Sequence, residues 1–404
     1  MTRRIAITGM GAVSALGLGA PALWSGMLAG RSGIAPLAPP QGESGLRMQV
    51  AAAFNGFDPA AHFPPGQLAM LDRVSQFALL AADEAIAQSG LAFDAGTAAR
   101  TAVVVGTGIG GETSRDEQSR RLYRDRAERV HPMSIIRVMP SAPASLVGMR
   151  YKLRGATFSV ASACASSNHA IAQAALMLRH GLADFAVAGG TEACFTLSGI
   201  RAWEAMRVVA DDTCRPFCAQ RRGLVLGEGA GIFVLEDMDH ARARGADILA
   251  ELAGFGLGAD GGDIVAPSVE GAAAAMREAI RDAGLRPEDI DYINAHGTGT
   301  LLNDQTETQA IRQVFGDHAD ALAVTSTKGV HGHALGAAGA IELVAAINAL
   351  REQLVPPTAN FIDPDPACDL DYVPNIARVM PVRAVLSNSF AFGGLNAVLA
   401  LKAC

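Results

Sequence analysis

Cys164 stands alone in SVASACASSNHAIAQAAL, residues 159–176, among alanines and serines. A strand-like run, TFSVAS, leads in, and a helix-like run, NHAIAQAALMLRHG, leads out. A thiol at the first turn of a helix feels unpaired N–H groups and the positive end of the macrodipole. Such a setting lowers a cysteine pKa from about 8.5 towards neutrality, so the spacing predicts a nucleophile. The small neighbours Ala163, Ala165, Ser166 and Ser167 allow a sharp turn and leave room for a bulky acyl group. A small buried hydrophobe suits the same stretch equally well. Three later stretches add to it. NAHGTGT, residues 294–300, presents His296 at a strand end before a glycine turn. STKGVHGHALGAAGAIE, residues 326–342, carries Lys328, His331 and His333 ahead of a helix. NSFAFGGLNA, residues 388–397, is a glycine-rich hinge with Phe390 and Phe392. Singly these read as a core histidine, a solvated lysine and a tight turn. Together they put catalytic residue types at several strand ends, where ligands collect in α/β folds.

The elements that must position them alternate along the chain. RIAIT, TAVVVG, TFSVAS and DFAVAGG read as strands, and residues 73–89 and 168–180 as helices. A second set follows, with strands in GIFVLED, ILAELAGFG, DYINAHG, LAVTSTK and AVLSNSF and helices at 271–284, 304–315 and 338–351. The pattern predicts an α/β fold of two comparable halves, 1–250 with the cysteine and 251–404 with the histidines. VVVGTGIGG echoes LSNSFAFGG, which suggests a duplication.

The bulk numbers fit. The chain has 404 residues, 50% of them apolar, with 44 glycines and a net charge of −7. That charge argues against general affinity for nucleic acid or anionic membrane. No run of 18 apolar residues is present, so no membrane span is expected. MTRRIAITGMGAVSALGLGA mimics a signal peptide, but glycines interrupt it, and IAIT reads as a buried strand. Six sparse cysteines suit a reducing compartment, hence a cytoplasmic protein. Cys214 and Cys218 lack a second ligand pair, so no metal is expected. The charged run RLYRDRAERVHP, residues 121–132, reads as a solvated helix face or loop. GTGIGG, residues 106–111, satisfies a dinucleotide fingerprint, and GMGAVS nearly does. Neither is followed by the strand with a terminal acid that the fingerprint requires, so an NAD-binding oxidoreductase is a weak rival.

In order, RIAITGMGAVSALG, GTGIGG, ACASSNHAI, AGGTEA, CRPF, GEGAG, NAHGTGT, TK…GH…GAAGAIE and NSFAFGGLNA make the chain resemble the β-ketoacyl-acyl carrier protein synthases, the type I/II condensing enzymes. The resemblance covers nearly the whole chain. It implies a thiolase fold, two similar halves in a five-layer α-β-α-β-α sandwich, usually homodimeric. It implies extension of a Cys164-bound acyl chain by two carbons from a malonyl thioester, with loss of CO2, on acyl carrier protein. By motif, Cys164 is the nucleophile, His296 and His333 the catalytic pair, Lys328 the supporting lysine and Glu342 a structural acid beneath it. Phe392 is the gate, and the backbone N–H groups of Cys164 and Phe392 form the oxyanion hole. Ile109 and Trp203 fall where the family lines its acyl pocket. Thr298 and Thr300 would bond a phosphopantetheine arm, or cap the turn after His296. Some relatives hold a monovalent cation where Asn294, Glu342, Ser387 and Asn388 would meet; no cofactor is required. The resemblance also allows a heterodimer with a chain-length partner in place of a homodimer. A catalytically silent, carrier-protein-binding partner of another ketosynthase is the alternative, and the intact Cys/His/His set argues against it.

The chain departs from the family pattern in places. Cys218 stands where Asp is usual after RPF, RRG with Arg222 replaces RDG, and Leu395 replaces Thr. APS, residues 266–268, replaces a more hydroxyl-rich loop. HGTGT, HGH and NSFAFGG also occur in specialised synthases, of nodulation or aryl-polyene type.

Overall fold

The computed structural model describes residues 3–40 and 45–404. Met1 and Thr2, at the head of the signal-like stretch, lie outside them. Ten strands form one mixed sheet, with a short ribbon at Gly17–Leu18. The first five are β1 (Ile5–Ser14), β2 (Thr101–Gly106), β3 (Thr157–Val160), β4 (Phe185–Glu192) and β5 (Gly229–Asp237). The second five are β6 (Ala250–Ala259), β7 (Tyr292–Asn294), β8 (Ala323–Thr325), β9 (Ala384–Ala391) and β10 (Leu395–Lys402). From the centre outward the first half runs β1-β5-β4-β2-β3 and the second β6-β10-β9-β7-β8. The orientations match too: β2 pairs in parallel with β3 and β4, and β7 with β8 and β9. The remaining pairs within each half are antiparallel. The halves join where Ile5–Ile7 pairs with Ala250–Leu252.

Among the described residues eight helices have ten or more residues: α1 (Arg73–Ser89), α2 (Glu112–Tyr123), α3 (Ala142–Tyr151), α4 (Ser166–Arg179), α5 (Leu197–Met206), α6 (Val269–Asp282), α7 (Leu301–Phe315) and α8 (Ala338–Glu352). Helices α1 and α3 pack on one face of the first half, and α6, backed by α7, on the second. Helices α4 and α8 lie between the halves and touch each other. This is the five-layer sandwich. Along β2 the side chains divide between layers: Ala102 and Val104 enter the central core, Val103 and Val105 the outer one. Helix α8 is buried continuously over Ala338–Leu350, as expected of a helix apolar on all sides.

Two sequence expectations need correction. The first strand does not stop at Thr8 but runs to Ser14 through Gly9 and Gly11. A Cβ at Gly9 would lie 2.0 Å from the Ala85 carbonyl oxygen, so these glycines let α1 lie against the strand. The echo between VVVGTGIGG and LSNSFAFGG joins β2, second in its half, to β9, fourth in its half. The true counterpart of VVVGTGIGG is YINAHGTGT on β7. The duplication stands on strand order instead.

Candidate active site

Strand β3 is followed by a tight 3-10 turn, Ala163–Ala165, and α4 opens immediately at Ser166. Cys164 therefore sits one turn ahead of the helix. Ala163 has φ 48°, a left-handed conformation that costs a side-chain-bearing residue ~1–2 kcal/mol. Ser166 Oγ holds the turn, donating to the Ala163 carbonyl at 2.6 Å and accepting from Ser162 N at 2.9 Å. The thiol is almost fully buried in an apolar cluster with Leu46, Met48, Cys194, Ile200, Leu224, Leu226 and Leu335. Burial pushes it up to about 12, with Lys328 acting in the opposite direction and Glu192 adding to the rise. The expectation of a low-pKa thiolate is thus corrected: the helix start is where the sequence put it, but desolvation of the charged form dominates.

A cavity of about 290 Å³ brings together Cys164, His296, His333, Phe390, Phe392, Trp203, Thr298 and Thr300. The imidazole centroids of His296 and His333 are 5.3 Å apart with planes at 84°. Burial and the Lys328 charge hold both well below the ordinary histidine range, so both are neutral and each has one N–H to donate. Nδ1 of each is buried without a partner. Lys328 is wholly buried; its ammonium donates to the His296 carbonyl at 2.5 Å and pairs with Glu342. Burial pushes the Glu342 carboxyl up to about 7, against the lysine.

The remaining expected residues fall in place unevenly. Trp203 lines the cavity and stacks on Phe392, centroids 6.2 Å apart. Ile109 packs against the Cys164 cluster but is not among the cavity-lining residues. Thr298 and Thr300 hydroxyls bond each other at 2.9 Å. His331 is buried, with Nε2 against Thr327 Oγ1 at 2.9 Å, and burial pushes it down to about 3. Arg222 is exposed at the cavity rim with Arg207. Leu395 opens β10 opposite Ala391, and Cys218 is buried with Sγ 2.9 Å from Gln220 Oε1. Ala266 and Pro267 line the cavity, while Ser268 caps α6. Asn294, Glu342, Ser387 and Asn388 are all wholly buried, and each keeps a side-chain oxygen without a partner. An all-oxygen set of this kind suits a hard cation.

Three buried acids escaped the sequence reading. Glu307 accepts the N–H groups of His296 and Gly297, both at 2.8 Å, and so fixes the histidine turn. Asp304 accepts from Phe217 N at 2.7 Å and Gly299 N at 3.2 Å. Glu192 grips the GTGIGG loop, accepting from Gly108 N at 2.7 Å and Ile109 N at 3.3 Å. Helix α2 does open directly after this loop, but those two amides already have a carboxylate and are not offered to a pyrophosphate. An acid inside an otherwise apolar run, as in AGGTEAC, was the available signal.

A buried thiol and two imidazoles held neutral thus share one cavity on a duplicated five-layer α/β scaffold. Residues 2–241 match the Beta-ketoacyl synthase, N-terminal domain family, and residues 249–362 the Beta-ketoacyl synthase, C-terminal domain. The chain belongs to the β-ketoacyl synthase family and has the thiolase fold. It is 50% identical over 402 residues to Nodulation protein E of Rhizobium sp. (strain N33), covering 100% of both chains. It is 41% identical to 3-oxoacyl-[acyl-carrier-protein] synthase 2 of Coxiella burnetii (strain RSA 493 / Nine Mile phase I), covering 99% of this chain and 98% of that one. The solved ishigamide ketosynthase/chain length factor superposes with a TM-score of 0.94 at 34% identity, covering 100% of each chain. The protein is a condensing acyltransferase of fatty acid or polyketide synthesis.

Proposed function

We propose that Cys164 accepts the acyl chain, that His296 and His333 stabilise the enolate formed from a malonyl thioester, and that Lys328 holds this pair neutral and in place. The shared cavity is the observation that carries this reading: thiol, both imidazoles and Phe392 line one opening. In the first step the Cys164 sulfur gives up its proton and attacks a carrier-bound thioester, the carrier C–S bond breaks, and the carrier sulfur takes up a proton and leaves as the thiol. The tetrahedral oxyanion is held by the backbone N–H groups of Cys164 and Phe392; losing one such donor typically costs ~2.7–4 kcal/mol. In the second step the malonyl thioester loses CO2, and the carbon–carbon bonding pair moves onto its thioester oxygen. Two neutral imidazole N–H groups receive that charge. In the third step the enolate carbon attacks the acyl-Cys164 thioester, the C–S bond breaks with its pair on the Cys164 sulfur, a 3-ketoacyl product two carbons longer leaves, and the sulfur takes up a proton to restore the thiol. Glu342 supports Lys328 from below. Ile109 and Trp203 border the acyl tunnel, and Thr298 and Thr300 face the pantetheine arm.

The carrier protein would dock at the cavity mouth, where Arg207 and Arg222 stand among Leu301 and Leu302, both 60% exposed. Strand β3 ends the sheet with Phe158 partly exposed, and α3 beside it exposes Met149. This edge suits a second copy, or a chain-length partner as in the solved ketosynthase/chain length factor. Action in the cytoplasm follows from carrier-bound substrates; no helix of the described residues is long and apolar enough to cross a membrane. The higher identity to a nodulation protein than to synthase 2 favours a specialised pathway. Residues 1–250 would carry the nucleophile and 251–404 the histidine pair. The test is the intact mass after incubation with acyl-carrier protein. An acyl adduct that Cys164→Ser abolishes is expected; an adduct surviving in that variant would overturn the assignment.

A further inference from the structure

Glu192 ends β4 beneath the site, fully buried, and four donors converge on it. Oε1 accepts from Thr107 Oγ1 at 3.0 Å and Ile109 N at 3.3 Å. Oε2 accepts from Gly108 N at 2.7 Å and Gly336 N at 2.9 Å. The first three donors belong to the loop that carries Ile109. The fourth belongs to the turn Leu335–Ala337, two residues past His333. The two loops almost touch across the carboxylate: a Cβ at Gly336 would lie 2.4 Å from Gly108 N and 2.7 Å from Glu192 Oε2. Leu335, in the same turn, has φ 48° and packs in the Cys164 cluster.

We propose, resting on the ketosynthase reading above, that Glu192 is a positioning residue for acyl-chain selection: it ties the Thr107–Ile109 loop, whose Ile109 packs against the Cys164 cluster, to the turn following His333, so that the surroundings of the acylated cysteine and the condensation site are set together. A carboxylate suits this task because every contact it makes is with a donor. A proton on Oε2 faces the Gly108 and Gly336 amides, which can only donate, and opens that pair of contacts; a proton on Oε1 can be donated to the Thr107 hydroxyl, so that only the Ile109 contact weakens. Burial pushes this carboxyl up to about 7, although its four donors pull the other way. The titratable groups that feel its charge are the Cys164 and Cys194 thiols, both protonated near neutrality because burial raises them. The tie is therefore intact above about pH 7 and loosens below it.

The test is a competition among carrier-bound chains of about six to sixteen carbons, read as acyl adducts on intact protein between about pH 6 and pH 8. In the unaltered enzyme the ratio of long to short adducts should shift by about fivefold to tenfold across that range, the scale of one net hydrogen bond. Glu192→Gln should flatten this dependence and broaden the length profile at every pH. Thr107→Val removes one donor and should shift the profile the same way by less, which keeps the test open if Glu192→Gln does not fold. A wild-type profile and pH dependence in either folded variant would overturn the positioning role. Absence of any adduct in the unaltered enzyme would instead overturn the ketosynthase reading itself.

Discussion

Replacing Lys328 with methionine separates the roles of the buried pair. Both side chains of Lys328 and Glu342 are wholly buried, and removing one partner of such a pair typically costs ~3–5 kcal/mol because a charge is left uncompensated. The cost should depend on pH in a definite direction. Glu342 already has its carboxyl raised from 4.5 to about 7 in the fold. A raised acid contributes stability that is fully present below its unfolded value and is lost as pH rises through the folded value. In Lys328→Met the ammonium that favours the carboxylate is gone, so the folded value rises further. Above pH 7 the variant must then bury a bare carboxylate or hold its proton, at ~1.4 kcal/mol per pH unit. Relative to the unaltered protein, the loss should therefore be ~2 kcal/mol larger at about pH 8.5 than at about pH 6. Urea denaturation at the two pH values measures this, and Lys328→Met combined with Glu342→Gln should remove the pH-dependent part. Losses equal within ~0.5 kcal/mol at both pH values would refute the reasoning, because they would mean that Glu342 does not titrate between them.

Three other outcomes follow from the geometry. With burial holding Cys164 up at about 12, its alkylation by iodoacetamide should rise about tenfold per pH unit from neutrality to about pH 9; a plateau near pH 7 would restore the low-pKa thiolate. His296→Ala and His333→Ala should each lower malonyl decarboxylation by about 10² or more while self-acylation of Cys164 survives better, and equal loss of both half-reactions would count against that division of labour. Trp203→Ala should extend the accepted chain, since each methylene entering an apolar tunnel contributes about 0.8 kcal/mol; an unchanged length profile in the folded variant would remove Trp203 from the pocket.

What could be read from the sequence was what periodicity and motif carry. Helix α1 falls on residues 73–89 as its apolar spacing requires. Strand β10 was missed because Gly393 and Gly394 looked like the end of a hinge, whereas they are the turn of a hairpin joining β9 to Leu395–Lys402. Helix α2, ETSRDEQSRRLY, has too few apolar residues to show a buried stripe; only Ser114 and Gln118 are buried. The catalytic types were legible because thiol, imidazole and ammonium are rare among glycines and alanines. Glu192, Asp304 and Glu307 were not, because their partners are mainly main-chain N–H groups, which no residue letter records. Nor could the Cys164 expectation foresee desolvation, since helix position is local in sequence and burial is not.

The duplication explains why the chemistry is divided between the halves. In each half a 3-10 turn leads straight into the central helix: Ala163–Ala165 into α4 and Leu335–Ala337 into α8. Both turns begin on a residue with φ 48° and they pack on each other. Cys164 is the middle residue of one turn and Gly336 the middle residue of the other. The same local strain thus serves two ends. In the first half it projects a side chain into the cavity. In the second it brings a bare backbone against the Thr107–Ile109 loop, where Gly336 N reaches Glu192. A second thiol at position 336 has no room, because its Cβ would collide with Gly108 N. The second half supplies the two imidazoles of the cavity, His296 just after β7 and His333 just before the turn, and in the proposed reaction one repeat would hold the acyl chain while the other generates the carbanion that attacks it.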